Sequence, residues 1–274
     1  MLHRIYYVIM SLKHKYGNTA LIAGGSEGIG GAFANHLAAE GIHLILIARN
    51  REKLEAYSEA LRQKYEISVT SYAYDLAQKS SLQDIGEQLR HLKIDIFIYN
   101  AALSHIGAFE AKSPEFYSDL ITTNISAPLQ FVYQIAEQMK ERKKGAIILM
   151  SSLAGFQGSG NVAVYAATKA FNLNLAEGLW YELRHYGIDV LACCPGATSS
   201  PNYVRTKPKK MGFLSPKVLT PAEVVREAFS SLGRTPSRIT GFGNRLVAIL
   251  MHRILPRKAS VKMMGDATRD LYDL

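Results

Sequence analysis

A chain of 274 residues, 48% of them hydrophobic, is long and apolar enough for one large α/β domain with a substantial core. Its two cysteines, Cys193 and Cys194, are adjacent, which excludes a disulfide scaffold and suits a reducing compartment. The net charge of +9 arises in the last quarter, where fourteen Lys/Arg stand against five Asp/Glu from Ser200 to Leu274; no nucleic-acid motif accompanies it, so no nucleic-acid partner is expected.

The apolar start Met1 to Met10 is broken by Lys13, His14 and Lys15 and lacks a small-x-small cleavage site, so residues 1–17 read as a short amphipathic extension. No segment approaches the ~20 apolar residues of a membrane-spanning helix. A strand is predicted from Asn18 to Ala23, then a turn, Gly24-Gly25-Ser26-Glu27-Gly28-Ile29-Gly30, then a helix to Glu40 with Phe33, Leu37 and Ala38 inward. Strand, glycine turn and helix in this order form the setting of a dinucleotide site: glycines let the backbone approach a pyrophosphate, and the helix N-terminus meets its charge.

The second strand, His43 to Ala48, leads into Arg49. An acidic side chain here would bind an adenosine ribose; Ala48 has none, and Arg49 offers a cation to a 2′-phosphate, so NADP(H) is favoured over NAD(H). Glu27 pulls mildly the other way. A charged helix from Arg51 to Lys64 leads to a strand from Ser68 to Tyr74, with Asp75 and Leu76 at its carboxyl end, where ligands bind in open α/β sheets. A helix from about Ser80 to His91 and a strand from Ile94 to Tyr99 follow, then Asn100-Ala101-Ala102, and Pro128 marks a bend or helix start beyond Asn124.

Ser152 ends the buried strand Ala146 to Met150, and a helix is predicted from Asn161 to Arg184. On that helix Tyr165 and Lys169 are four apart and share a face, with Cβ atoms roughly 5–6 Å apart. An ammonium there favours the tyrosinate, which makes Tyr165 a general acid/base candidate, with Ser152 returning to polarise a carbonyl. Another strand, Ile188 to Cys194, ends at Pro195-Gly196; Thr198 to Leu219, with Arg205, Lys207, Lys209 and Lys210, reads as an irregular active-site lid. Thr220-Pro-Ala-Glu223 is a capping box opening a helix to about Leu232. Strands alternating with helices predict a doubly wound parallel sheet in a single domain, 18–241, with no metal ligands assigned.

Together these residues resemble the short-chain dehydrogenase/reductase family from about Asn18 to Gly241. The glycine turn resembles the family's glycine motif, with Ala23 where Thr is usual; Tyr99-Asn100-Ala101-Ala102 resembles its Asn-Asn-Ala-Gly motif, departing at the first and last positions. Asn124, Ser152, Tyr165 and Lys169 match its catalytic tetrad, and Pro195-Gly196 matches the motif beside the nicotinamide. The resemblance implies a Rossmann-type fold and reversible hydride transfer between a nicotinamide and a carbonyl or alcohol, with reduction of a ketone or aldehyde by NADPH favoured. In that reading Tyr165 donates the proton, Ser152 holds the oxygen, Lys169 binds the nicotinamide ribose and lowers the Tyr165 pKa, Asn124 positions a water, and Thr198 meets the carboxamide. Gly24, Ser26, Glu27, Gly28, Ile29, Gly30, Arg49, Asp75, Leu76, Asn100, Ala101, Pro195, Gly196 and Thr198 line the cofactor, with Tyr165 and Lys169. A cytoplasmic homodimer or homotetramer is expected. The alternatives are a nucleotide-binding regulatory or scaffold protein without turnover, and a lipid or sterol alcohol dehydrogenase.

The tail, 242–274, predicts an amphipathic helix from Asn244 to Leu255, with Leu246, Ile249, Leu250 and Ile254 on one stripe, widened by Val247 and Met251 and edged by Arg245, His252, Arg253, Arg257 and Lys258. The stripe is expected to dock on its own domain or across a dimer; the charge also suggests peripheral contact with an anionic membrane, or capture of a lipophilic or acyl-carrier substrate.

Overall fold

The apolar runs lie in parallel strands covered on both faces, which is why they read as nearly unbroken hydrophobic stretches. The computed structural model describes residues 11–209 and 217–274. Its strands are β1 (Thr19–Ala23), β2 (His43–Ala48), β3 (Val69–Ala73), β4 (Ile96–Tyr99), β5 (Gly145–Met150), β6 (Ile188–Cys194) and β7 (Ser237–Ile239), in the order β3-β2-β1-β4-β5-β6-β7. All pairings are parallel, with Ile22 beside Leu46 and Ile98, and Ile148 beside Leu191. The order reverses at β1, whose neighbours are β2 and β4, and so opens a crevice at the carboxyl ends of these strands.

The helices are α1 (Leu12–Tyr16), α2 (Gly28–Ala39), α3 (Arg51–Tyr65), α4 (Lys79–Arg90), α5 (Pro114–Ile121), α6 (Ala127–Arg142), α7 (Ala163–Leu183), α8 (Pro201–Arg205), α9 (Pro221–Ser231), α10 (Phe242–Ile249) and α11 (Arg257–Tyr272). Alternate residues of each strand feed two cores. Ile22, Leu44, Leu46, Ile98 and Ile148 pack with Phe33 and Leu37 of α2 and Val224 of α9. Leu21, Ile45, Phe97, Tyr99 and Leu149 pack with Ile85 of α4, Phe131 and Ile135 of α6, and Leu173 of α7. Each fully buried side chain of this size contributes about 1.5–3 kcal/mol.

Several boundaries move from the sequence reading. The helix carrying Tyr165 begins at Ala163 because Asn161 has φ +61°, a left-handed conformation no helix continues through, and it closes in a 3₁₀ turn, Arg184–Tyr186. The bend before Pro128 is a π turn, Thr122–Ser126, leading into α6. Of the N-terminal extension, residues 1–10 lie outside the described residues; α1 is fastened to the domain by Tyr16, whose hydroxyl donates to Asp189 at 2.7 Å. The lid contains α8, and a bridge between Thr198 and Leu219 ties its two ends together; Lys210 lies outside the described residues.

The expectation that the tail stripe docks on its own domain is corrected. Leu246, Ile249, Leu250 and Ile254 face outward, while Asn244, Ala248 and Met251 on the opposite side are buried against the domain. The predicted single helix is α10 followed by a π turn, Leu250–Ile254, and Pro256 starts α11, an additional helix. Among the described residues, no helix is long and apolar enough to cross a membrane.

Candidate active site

The glycine turn is built by close backbone packing. Gly24 has φ +77°, and a Cβ there would stand 2.7 Å from the Ala101 amide nitrogen; a Cβ on Gly30 would drive into the Gly24 carbonyl oxygen. That carbonyl also accepts from the Asn100 side chain at 3.0 Å, so β1, β4 and α2 converge on it. Gly30→Ala is therefore expected to lower unfolding stability by about 3 kcal/mol, as overpacking at a rigid contact does, read by urea denaturation. A stability within error of the unsubstituted protein would mean that this packing is looser than described.

The turn fits a dinucleotide phosphate. Glu27 makes no side-chain cap on α2, leaving the first N–H groups of that helix without a side-chain partner. Its carboxylate is instead taken by Arg205 of α8 and by Lys53, which together hold it below the usual carboxylate range. Ser26, Gly28 and Ile29 lie half-buried in the same turn, and α8 sits over it, with Ser200 and Pro201 next to Gly28. Arg49 is exposed at the end of β2 and has no ion pair among the described residues. Asp75 follows β3 and accepts from the Ala77 amide at 3.1 Å, with Leu76 buried beside it.

Ser152, Tyr165 and Lys169 meet where β5 passes into α7. Ser152 opens a 3₁₀ turn, Leu153–Phe156, by accepting from the Ala154 amide at 3.2 Å. Gly155 allows that turn to lie on the backbone of α7, since a Cβ there would stand 2.8 Å from the Lys169 carbonyl carbon. Ser151 donates to the Lys169 carbonyl at 2.7 Å, and Lys169 Nζ donates to the Met150 carbonyl at 2.8 Å, fastening helix to strand at this residue. Lys169 Nζ stands 5.6 Å from the Tyr165 ring centroid.

The electrostatics differ from the sequence expectation. Burial raises the Tyr165 phenol above its ordinary value; the Ser152 hydroxyl works the other way, and Tyr272 of α11 adds to the rise. The ammonium is the group most clearly destabilised: burial brings Lys169 down to about 8. Desolvation outweighs the opposite-charge effect that the four-residue spacing suggests.

Asn124 is buried in the π turn with its amide saturated. Its Oδ1 accepts from the Leu103 amide at 2.9 Å, and its Nδ2 donates to the Leu103 carbonyl at 2.9 Å and to Thr168 Oγ1 at 3.0 Å. Its carbonyl accepts from Asn172 at 3.1 Å. The tyrosine that replaces asparagine before Asn100 has a use: the Tyr99 hydroxyl donates to the Thr123 carbonyl and braces this turn. Pro195 accepts from the Leu153 amide at 2.9 Å, and Gly196 lies against Asn244 of α10, where a Cβ would stand 2.6 Å from the amide. Thr198 bonds the Gly196 carbonyl at 3.1 Å.

Thr168, Asn172 and Asn244 are site-bracing residues that the sequence reading missed. The first two sit three and seven positions beyond Tyr165 on the same helix, a spacing that was available as a signal; Asn244 comes from the tail and had none. The tail also packs on the loop between Ser152 and Tyr165 and on the segment that ends at Lys209. Arg257 donates to the Phe156 carbonyl at 3.3 Å, Gly265 of α11 lies against Gly160, and the Lys209 amide donates to the Leu271 carbonyl at 2.9 Å. Beside Tyr165 is a cleft lined by His105, Phe109, Tyr117, Leu120, Val162 and Val164.

The chain and its fold are similar to known proteins. The family model for short chain dehydrogenases matches residues 18–211. A 7beta-hydroxysteroid dehydrogenase of Clostridium sardiniense is 28% identical over 236 residues, 86% of this chain and 90% of the relative. A solved structure concerned with 7beta-hydroxysteroid dehydrogenase stereoselectivity is 27% identical with a TM-score of 0.86, covering 93% of this chain and 99% of that one. A short-chain dehydrogenase from Sphingobium yanoikuyae in complex with NADPH is 32% identical with a TM-score of 0.73, covering 81% of this chain and 87% of that one.

Proposed function

From the premise that the chain belongs to the short-chain dehydrogenase family, we propose that it is an NADPH-dependent reductase of a bulky, largely apolar ketone, with Tyr165 as the proton donor. The observation that carries this reading is the meeting of Ser152, Tyr165 and Lys169 at the carboxyl edge of the sheet, the same edge that carries the glycine turn. A bound nicotinamide supplies the hydride to the carbonyl carbon. Ser152 donates a hydrogen bond to the carbonyl oxygen, and Tyr165 transfers its phenolic proton to that oxygen as negative charge develops there. The phenolate left behind is stabilised by the Ser152 hydroxyl and by the Lys169 ammonium. Lys169 would also hold the nicotinamide ribose, the glycine turn and Asn100 the phosphates and nearby backbone, Asp75 and Leu76 the adenine side, and Pro195, Gly196 and Thr198 the nicotinamide. Asn124 acts by fixing the 103 segment to α7.

The likeness to hydroxysteroid dehydrogenases supports a rigid polycyclic or comparably bulky skeleton. The same observations favour a sterol-type substrate over a small aldehyde; the direction in a cell follows the NADPH/NADP⁺ ratio, which drives reduction. The expected homo-oligomer is supported by Leu129 and Tyr133 of α6 and Tyr181 of α7, apolar side chains left exposed on neighbouring helices.

The cofactor preference rests on Arg49, and titration with NADPH and NADH followed by fluorescence tests it. NADPH is expected to bind more tightly than NADH. Arg49→Ala should weaken NADPH by roughly tenfold to a hundredfold, the loss of a charge-assisted contact, and leave NADH nearly unchanged. Equal losses for both nucleotides would contradict the assignment of Arg49 to the 2′-phosphate.

A further inference from the structure

The outward stripe on the tail is an apolar surface on a helix already fixed in place. Phe242, Leu246, Ile249 and Ile254 are 70%, 51%, 53% and 67% exposed, and Leu250 adjoins them. Positions 242, 246, 249 and 250 fall on one face of α10. The π turn Leu250–Ile254 takes in an extra residue per turn, which keeps Ile254 near that face. The other side of the helix is committed: Asn244, Ala248 and Met251 are buried, and Arg245 is paired with Glu227. An exposed row of five large apolar residues on a well-anchored helix marks an interaction surface.

Charge decides between occupants. From Ala228 to Gly265 there is no acidic residue, and seven Lys/Arg fall in the same stretch. Arg253, Arg257 and Lys258 are exposed at the end of the stripe; among the described residues Arg253 and Lys258 have no ion pair, and Arg257 bonds only a neutral carbonyl. A symmetric contact through this face would offer these cations no carboxylate from residues 228–265 of a second copy. An anionic bilayer complements both features, taking up the apolar face and neutralising the basic end.

We propose that the α10 face, Phe242 to Ile254, seats the protein on the surface of an anionic membrane. The docked helix packs against the turn that follows Ser152, so the catalytic edge would lie next to the lipid. The proposal stands apart from hydride transfer and does not depend on it.

The test is flotation of the full-length protein with vesicles of phosphatidylcholine alone or mixed with phosphatidylglycerol, at low salt and at about 0.5 M NaCl. Two variants are compared, Ile249→Asp with Ile254→Asp and Arg253→Glu with Lys258→Glu; circular dichroism melting checks their folding, and the second pair alters only exposed charges. Binding is expected to the mixed vesicles at low salt, weakened about tenfold by either pair and by high salt. Absence of the folded unsubstituted protein from the mixed vesicles would overturn the proposal, as would binding insensitive to both pairs. Light scattering covers the competing occupant: an apolar pair that converts an oligomer to monomers, with no vesicle binding by the unsubstituted protein, assigns the face to a second copy.

Discussion

Tyr165→Phe is expected to lower the rate of ketone reduction by about a thousandfold while leaving NADPH affinity within about twofold. The substitution removes one hydroxyl and keeps the ring, so packing of α7 is preserved and the loss falls on the proton transfer. Burial holds the Tyr165 phenol above its ordinary value, so the acid is protonated throughout the neutral range. The limit on reduction comes from its neighbour. As pH rises through about 8, Lys169 loses its charge and the phenolate formed in the reaction loses its stabilising cation. The reduction rate should therefore hold near neutrality and fall above about pH 8, measured as NADPH oxidation over a pH series. Full activity in Tyr165→Phe would remove the phenol from the mechanism.

Lys169→Met is expected to abolish turnover without weakening the fold at neutral pH. Lys169 titrates at about 8 in the folded chain against an ordinary value of 10.5. Between those values the unfolded state binds more protons, so the contribution of this group to stability rises with pH; below about 8 its full penalty, on the order of 3 kcal/mol, is present. Methionine removes that penalty and costs about 1–3 kcal/mol through the Met150 carbonyl left without its donor. At about pH 7 the variant should thus be as stable as the unsubstituted protein or slightly more so. By about pH 9.5 its relative stability should have dropped by roughly 2 kcal/mol, as the unsubstituted protein recovers. Urea denaturation of both proteins at the two pH values reads the difference directly; the other titrating tyrosines are common to both and cancel. A difference that does not change with pH would mean that the ammonium is solvated in the native state.

The sheet was legible because parallel strands buried on both faces have little choice of composition: Leu21 to Ala23, His43 to Ile47 and Ile147 to Leu149 read as strands at sight. The placing together of the candidate trio was legible for a different reason. Tyr165 and Lys169 are coupled by helical spacing and Ser152 by its place at a strand end, so local geometry fixes most of their relation. The ionisation of that trio was not legible, because it depends on how much protein surrounds Lys169, and spacing carries no information on depth. Nor was the side of α10 that packs inward: its apolar residues cover more than one face, and Asn244, a polar residue, is the one placed beneath Gly196. β7 is three half-buried residues and had no periodicity to read. The docking of α11 on the loop before Tyr165 depends on tertiary contact between Gly160 and Gly265, two glycines that look like linkers in sequence.

The measurement that bears most directly on the central claim is transfer of label from NADPH carrying deuterium at the nicotinamide C4 position. The protein is incubated with that cofactor and a panel of bulky ketones, steroid ketones among them, and the products are analysed by mass spectrometry. A single deuterium on the carbinol carbon, delivered from one face of the nicotinamide and absent with Tyr165→Phe, is the predicted result. Tight NADPH binding with no labelled alcohol from any ketone would contradict it and assign the chain to nucleotide binding without turnover.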